Sequence, residues 1–409
     1  MAKADIYYFN PTCELAVANG SFSYMPPLLL QEMERDLSIL PFIFGSDGDY
    51  VIIEDLPASG FIQNLKNAGF VLPNFCRLAE LEALPTDSFE NLYPWGWSPA
   101  AHFKLKNLKE KCSDEFKESP VFCWQTDHHL LFERSTSLNF LETILNDNPP
   151  EWFISQALTG KKVTSCDEIE ILLKKHLPLV LKAPISSSGR GIQIVRGKLL
   201  NASKRQWISG ILKQQNYLIA EPFLEKLTDI SFQFRILSGS DVDYLGFSIF
   251  ETNTNGQYKK TFLNPELKAI LPEENMNELE EMIRTTANLL KRALGKSVYS
   301  SLHRGFLGVD ALIFKHQGKL IMQPCLEINS RMNMGVLSLF IEEKIHQDAR
   351  GQFELYYGST GEYDKLEKEL TRLTPPKIKD GKLYSGFLSL IEPVMHKKFG
   401  AYISVGVAK

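Results

Sequence analysis

The chain has 409 residues, of which 44% are hydrophobic and 23% charged, and 45 Lys+Arg against 49 Asp+Glu leave a formal net charge of -4. That length accommodates two or three domains with a large core, and the mildly acidic balance without Lys/Arg runs argues against a nucleic-acid partner. No apolar run reaches the ~18 residues of a membrane span, the first residues lack a signal-peptide apolar region, and no two of the six cysteines form a C-x-x-C pair, so a cytoplasmic chain with reduced thiols and no membrane partner is expected.

In chain order, Ile6–Phe9 reads as a strand ending at the turn signal Asn10-Pro11, and Thr12 as the cap of a short helix through Glu14 to Ala18, stopped by Asn19-Gly20. Further strands are predicted over Ile39–Phe44 and Tyr50–Ile53, a helix over Phe61–Ala68, and extended chain over Phe70–Leu72. This alternation predicts a parallel sheet over residues 1 to 100, and no G-x-G-x-x-G marks a dinucleotide site. Asn10 and Glu14 follow the first strand, where open α/β sheets place ligands; they are either substrate-facing or parts of a capped turn. An aromatic linker, Tyr93–Pro99, leads to a helix capped by Ser98 that carries Lys104 and Lys106 toward Lys111. His129 and Glu133 share a helical spacing, but two ligands do not make a metal site. Ser135–Leu145 is a further predicted helix.

Pro178–Pro184 is an apolar strand carrying one lysine, Lys182, which needs a partner if buried. The loop Ile185-Ser186-Ser187-Ser188-Gly189-Arg190-Gly191 follows, and then an alternating strand over Ile192–Arg196. Gly and Ser let backbone N–H groups wrap phosphate oxygens closely, although a Gly/Ser hairpin turn has the same composition. Strand Tyr217–Ala220 runs into Glu221-Pro222-Phe223-Leu224. Alternating strands follow at 229–236, 244–250 and 258–263, with Asn253–Gly256 as a turn, and then a long amphipathic helix over Glu274–Leu294.

Gly308–Gly335 reads as a hairpin turning at Gly318, with Pro324 marking an edge position or a bulge. Folding about Gly318 brings Asp310 opposite Glu327. Glu327, Asn329 and Arg331 share one face of extended backbone, so two carboxylates and an amide oxygen gather where a Mg²⁺ shared with phosphates can sit. Beyond it, 342–409 predicts a charged helix over Asp364–Leu373 and strands over Tyr384–Leu390 and Ala401–Val407.

Lys182 with its Ser/Gly loop, the Glu221–Leu224 segment, Asp310, and Glu327-Ile328-Asn329-Ser330-Arg331 occur in an order that resembles the ATP-grasp superfamily over about residues 176 to 336. The resemblance implies two α+β subdomains clasping ATP, preceded by an α/β domain. The boundaries expected are an α/β domain over 1–100, a helical linker over 101–175, a lid subdomain over 176–265 and a carboxyl-terminal subdomain over 266–409. It implies Lys182 on the α/β-phosphates, Ser187, Ser188, Gly189 and Gly191 as a lid over the β/γ-phosphates, and adenine against Glu221, Phe223 and Leu224. Glu225 or Asp229 would hold the ribose, Asp310, Glu327 and Asn329 would hold Mg²⁺, and Arg331 would stabilise the transferring phosphate. A second phosphate lysine could come only from Lys104 or Lys106. The implied reaction is ATP-dependent joining of a small-molecule carboxylate to an amine, such as an amino acid or peptide, through an acyl phosphate. A small-molecule kinase and a non-catalytic nucleotide-binding protein are the alternatives, and a homodimer is the base-rate assembly.

Overall fold

The computed structural model describes residues 3–186, 191–253, 256–267 and 276–407, and among them the strands form three sheets. The first holds β1 (Ala4–Tyr8), β2 (Tyr50–Ile52), β3 (Asn74–Cys76) and β4 (Phe89–Pro94), all parallel, in the order β3-β2-β1-β4. Side-chain alternation divides this sheet between two cores. Tyr7, Phe9, Val51 and Ile53 enter one, and Ile6, Ile52, Phe89 and Leu92 enter the other.

The run 39–44 is not a strand. Leu40–Ile43 is a 3₁₀ turn in which Phe42 N–H reaches Ile39 O at 2.9 Å and Phe44 N–H reaches Pro41 O at 3.0 Å. Pro41 has no N–H to give a ladder, and a short all-apolar run does not itself distinguish strand from turn. The third strand likewise lies at Asn74–Cys76, beyond 70–72. The helix Cys13–Asn19 ends at Gly20 (φ +76°) as expected, but Thr12 does not cap it: its hydroxyl donates to Glu34 Oε1 at 2.6 Å.

A small antiparallel sheet holds β5 (Lys161–Val163), β6 (Leu179–Lys182), β7 (Ile192–Val195) and β8 (Leu218–Pro222), in the order β5-β8-β6-β7. The helices Cys166–Leu173 and Ala202–Gln215 cover it through Ile169, Leu173 and Ile208. The second of these helices escaped the sequence reading. It buries little beyond Ile208, and its clearest mark is the cap Asn201, whose side chain accepts Lys204 N–H at 2.9 Å.

The large sheet holds β9 (Lys226–Ser238), β10 (Asp241–Thr252), β11 (Tyr258–Leu263), β12 (Gly305–His316), β13 (Lys319–Asn329), β14 (Ala349–Tyr357), β15 (Lys377–Lys379), β16 (Lys382–Ser389) and β17 (Phe399–Val407). Its order is β13-β12-β9-β10-β11-β14-β17-β16-β15. The stretch 176–265 is therefore shared between sheets: β6–β8 form the small one, and β9–β11 pair into the large one. The helix Met276–Leu294 packs on the large sheet beside β10, and its Leu279, Met282 and Leu290 share one core with Phe232, Phe234 and Val309. On the other side, Val336, Leu337 and Ile341 of the helix Met334–Glu342 share one core with Tyr7 and Trp95 of the amino-terminal unit.

The predicted hairpin is β12–β13. Gln317 (φ +51°) and Gly318 (φ +80°) make its turn, and Asp310 stands opposite Glu327. The register passes from Asp310↔Glu327 to Leu312↔Gln323, so β13 bulges around Pro324, and β13 is also the sheet edge.

The helix Pro99–Lys104 meets the large unit at three buried histidines, His102, His128 and His303. Lys109 Nζ donates to His102 Nδ1 at 3.1 Å, and Gln125 N–H to His128 Nδ1 at 2.9 Å, so both rings are held neutral. Burial, with Lys109 nearby, pushes His102 down to about 3; burial pushes His303 down to about 4 and lowers His128 as well. These groups bind fewer protons folded than unfolded. Their stabilisation is complete above the unfolded value near 6.5 and is lost as pH falls through that value toward 4, at up to about 1.4 kcal/mol per pH unit per group. Thermal unfolding followed by near-UV circular dichroism should show the midpoint dropping between pH 6.5 and 4, and His102→Phe should flatten that slope; an unchanged slope contradicts the assignment.

Candidate active site

Ser231 and Gln233 on β9, Gly308 and Asp310 on β12, and Glu327 and Asn329 on β13 stand in register across three neighbouring strands. Their alternating neighbours Phe232, Val309 and Ile328 are buried beneath them, so the polar set shares the opposite face, on which Ser231, Asp310, Glu327 and Asn329 line a cleft and Gln233 is fully buried. Asp310 Oδ1 accepts Ser231 Oγ–H at 2.6 Å, and its Oδ2 accepts Asn329 Nδ2–H at 2.9 Å. Asp310 keeps some surface open to the cleft, yet burial, with Glu327 adding repulsion, pushes its carboxyl up to about 6.

Asn329 Oδ1 in turn accepts Arg331 Nη2–H at 2.9 Å, and Arg331 Nε and Nη2 both reach Glu14 Oε1, at 2.9 and 2.8 Å. Burial works against the Arg331 charge, but Glu14 outweighs it and holds the guanidinium above its ordinary value. Glu14 Oε2 is buried without a hydrogen-bond partner at the edge of the same cleft. Asn10 does not face the cleft. Its amide is committed at both ends to Gly96, donating to O at 2.8 Å and accepting N–H at 3.3 Å. That fixes Gly96 where a Cβ would meet Cys13 Sγ at 2.3 Å and Arg331 Cβ at 3.2 Å, so the turn 10–14 and Arg331 are packed face to face.

Arg134, the first residue of the helix Arg134–Asn146, was missed in the sequence. Its Nη2 forks onto Glu327 Oε1 and Oε2 at 2.9 and 3.0 Å, while Nη1 donates to Ala183 O at 2.6 Å and Ser186 Oγ at 2.7 Å. One guanidinium therefore ties the root of the Ser/Gly loop to the hairpin carboxylate. The available signal was an arginine in a first helical turn, where the dipole disfavours cations.

Lys182 is buried and forms an ion pair with Glu221 across β6 and β8, which meets the need for a partner. The pair borders a small void beside Arg134, behind the cleft proper. Phe223 donates its N–H to Pro178 O at 3.0 Å and lies 5.6 Å from the Arg196 guanidinium, and Leu224 packs on the core of the large sheet. Asp229 pairs with Lys226 and accepts Thr252 Oγ1–H at 3.3 Å, on the same face as Ser231, whereas Glu225 is exposed. Ser187, Ser188 and Gly189 lie outside the described residues. Gly191 is described: a Cβ there would meet Ser186 Cβ at 2.3 Å, so only glycine closes this loop. Lys104 donates to Tyr8 OH at 2.8 Å and Lys106 lies 5.1 Å from the Phe103 ring centre, so neither reaches this cleft.

The cleft encloses about 230 Å³ between the polar strands, the loop root at Ser186, and Phe250, Tyr258 and Thr261 of β10 and β11. The amino end of the helix Met334–Glu342 borders it, capped by Asn333 Oδ1, which accepts Gly335 N–H at 2.9 Å and Val336 N–H at 3.1 Å. Among the described residues, no group of three or more His, Cys, Asp or Glu could hold a metal ion.

Solved structures resemble this fold along nearly the whole chain. A biotin carboxylase complex with β,γ-ATP from Campylobacter jejuni superposes with a TM-score of 0.51 at 11% identity, covering 100% of this chain and 88% of its own. An ADP complex of N5-carboxyaminoimidazole ribonucleotide synthetase superposes with a TM-score of 0.50 at 12% identity, covering 98% and 92%. The chain has the ATP-grasp fold. No protein-family model and no curated protein matches the sequence.

Within this ATP-grasp fold, Arg134 is the joint between loop and hairpin. Arg134→Met should leave Glu327 unpaired and cost about 3 kcal/mol of folding stability by denaturant titration. Arg134→Lys should recover less than half of the loss, since an ammonium cannot fork. Full recovery by Lys contradicts the bidentate role.

Proposed function

We propose that the chain is an ATP-dependent ligase that joins a small-molecule carboxylate to an amine through an acyl phosphate, releasing ADP and phosphate. The observation that carries this reading is the row Asp310–Glu327–Asn329–Arg331, joined by Arg134 to the root of the Ser/Gly loop.

The donor set suits Mg²⁺. Two carboxylates and an amide are hard oxygen ligands, too few for an all-protein cage, and Mg²⁺ commonly completes its shell with phosphates and water. Held by Asp310, Glu327 and Asn329, it would neutralise charge on the phosphates. The chain's own groups do the rest. Arg331, fixed by Glu14 and Asn329, presents a cation at the end of the row where negative charge develops on the transferred phosphoryl group. Lys182, paired with Glu221, would contact the α/β-phosphates, and Ser187, Ser188, Gly189 and Gly191 would lie over the β/γ-phosphates. Asp229 would hold the ribose hydroxyls. With the Phe223 N–H taken by Pro178, adenine contacts fall to the Phe223 and Leu224 side chains and to the remaining backbone of the Glu221–Leu224 segment.

In the reaction, a substrate carboxylate oxygen attacks the γ-phosphorus and the bond to ADP breaks. The amine then attacks the acyl carbon, the C–O bond to phosphate breaks, and the amine's proton is lost. The closed loop excludes water from the acyl phosphate.

With ATP and a panel of small acids and amines, ADP and phosphate should be released, and ¹⁸O from a labelled carboxylate should appear in the phosphate. Glu327→Ala should lower the rate at least about 100-fold while the circular dichroism spectrum is kept. A stable phosphorylated product would assign a kinase, and turnover undiminished in Glu327→Ala would dismiss this site.

A further inference from the structure

A second cavity, larger than the proposed nucleotide cleft, lies apart from it. It encloses about 840 Å³ at the carboxyl ends of the parallel sheet and is lined by Tyr8 at the end of β1, Glu54 after β2, Arg77 after β3, and Lys104 in the helix after β4. In the order β3-β2-β1-β4 the chain builds outward on one side of β1 and then crosses to the other. Open α/β sheets bind ligands at such a reversal, and this volume suits a ligand larger than a single amino acid.

The floor carries both signs of charge. Lys104 donates to Tyr8 OH at 2.8 Å and lies 4.7 Å from that ring's centre, and Arg77 Nε donates to Glu54 O at 3.1 Å. Glu34, within electrostatic reach of Lys104, accepts the Thr12 O–H at 2.6 Å and the Thr12 N–H at 3.3 Å, both through Oε1. The rim is apolar and open: Phe22 is 55%, Met25 71% and Phe103 56% exposed, and all three line the cavity. Large apolar side chains left open around one cleft mark a binding surface.

We propose that this cleft binds a short peptide with free ends and bulky apolar side chains, its carboxylate toward Lys104 and Arg77, its ammonium toward Glu34, and its side chains against Phe22, Met25 and Phe103. The charge pattern selects this class. A phosphate-rich ligand would meet Glu34 and Glu54, and a fatty acid would leave both acids unmatched. The turn 10–14 is the partition between the two cavities, with Asn10, Thr12 and Cys13 lining this one and Pro11 and Glu14 the other. The same turn bonds Glu34 through Thr12 and Arg331 through Glu14, so a peptide amine at Glu34 is proposed as the acceptor. Its role as the acceptor rests on the ligase reading; the binding itself does not.

The test is calorimetric titration of the full chain, without nucleotide, by leucyl-phenylalanine and by its N-acetyl and carboxamide forms. The free dipeptide should bind, and each capped form should bind at least about tenfold more weakly. Lys104→Ala and Phe103→Ser, both at exposed positions, should each weaken the free dipeptide at least about tenfold and leave Mg–ATP affinity within about twofold. Absence of binding at millimolar dipeptide, equal affinity of the capped forms, or unchanged affinity in both variants overturns the proposal. Mg–ATP binding without dipeptide binding overturns it alone. Dipeptide binding without ATP turnover supports it and sinks the acceptor role.

Discussion

One buried guanidinium holds the site in one piece. Arg134 grips both oxygens of Glu327 with one nitrogen and, with the other, the carbonyl and hydroxyl at the root of the Ser/Gly loop. The small sheet and the large sheet have separate cores. Without this fork, the carboxylate on β13 would face the cleft as an uncompensated charge, and the loop root would lose its register with it. Arginine suits the position because its planar fork meets two acceptors at fixed angles.

A second chain of contacts couples the amino-terminal unit to the same row. Glu14 holds Arg331, Arg331 holds Asn329, Asn329 holds Asp310, and Asp310 holds Ser231. Each side chain in the row spends some of its hydrogen-bonding capacity on a neighbour, so the row is oriented before any ligand arrives, which lowers the cost of organising the site during reaction. The amino-terminal unit is thereby part of the site. It supplies Glu14, and through the turn 10–14 it separates the cleft beside Arg331 from the larger cavity.

What the sequence revealed tracks how local each signal was. The hairpin was legible because alternation, the Gly318 turn and the Glu-x-Asn-x-Arg spacing all lie within a short stretch, and register then follows from the pleat. Lys182 was legible as an anomaly, a cation in an apolar strand, though its partner Glu221 was read only as part of the Glu221–Leu224 segment against adenine. Arg134 was not legible, because its value comes from Glu327, nearly two hundred residues away, and from carbonyls that have no sequence signature. The run at 39–44 failed for a different reason: a wholly buried apolar segment carries no periodicity, and Pro41 settled the matter against a strand. Lys104 was drawn toward phosphates by its charge, whereas Tyr8 holds it over the other cavity.

The central claim is that Asp310, Glu327 and Asn329 hold a divalent cation jointly with a nucleotide's phosphates. Electron paramagnetic resonance of Mn²⁺ titrated into the chain measures this directly. The account predicts weak uptake of Mn²⁺ alone, a protein-bound signal once ATP is added, and loss of that signal in Glu327→Ala with the fold intact. A protein-bound Mn²⁺ signal of equal strength without ATP, or one that survives in Glu327→Ala, would contradict it.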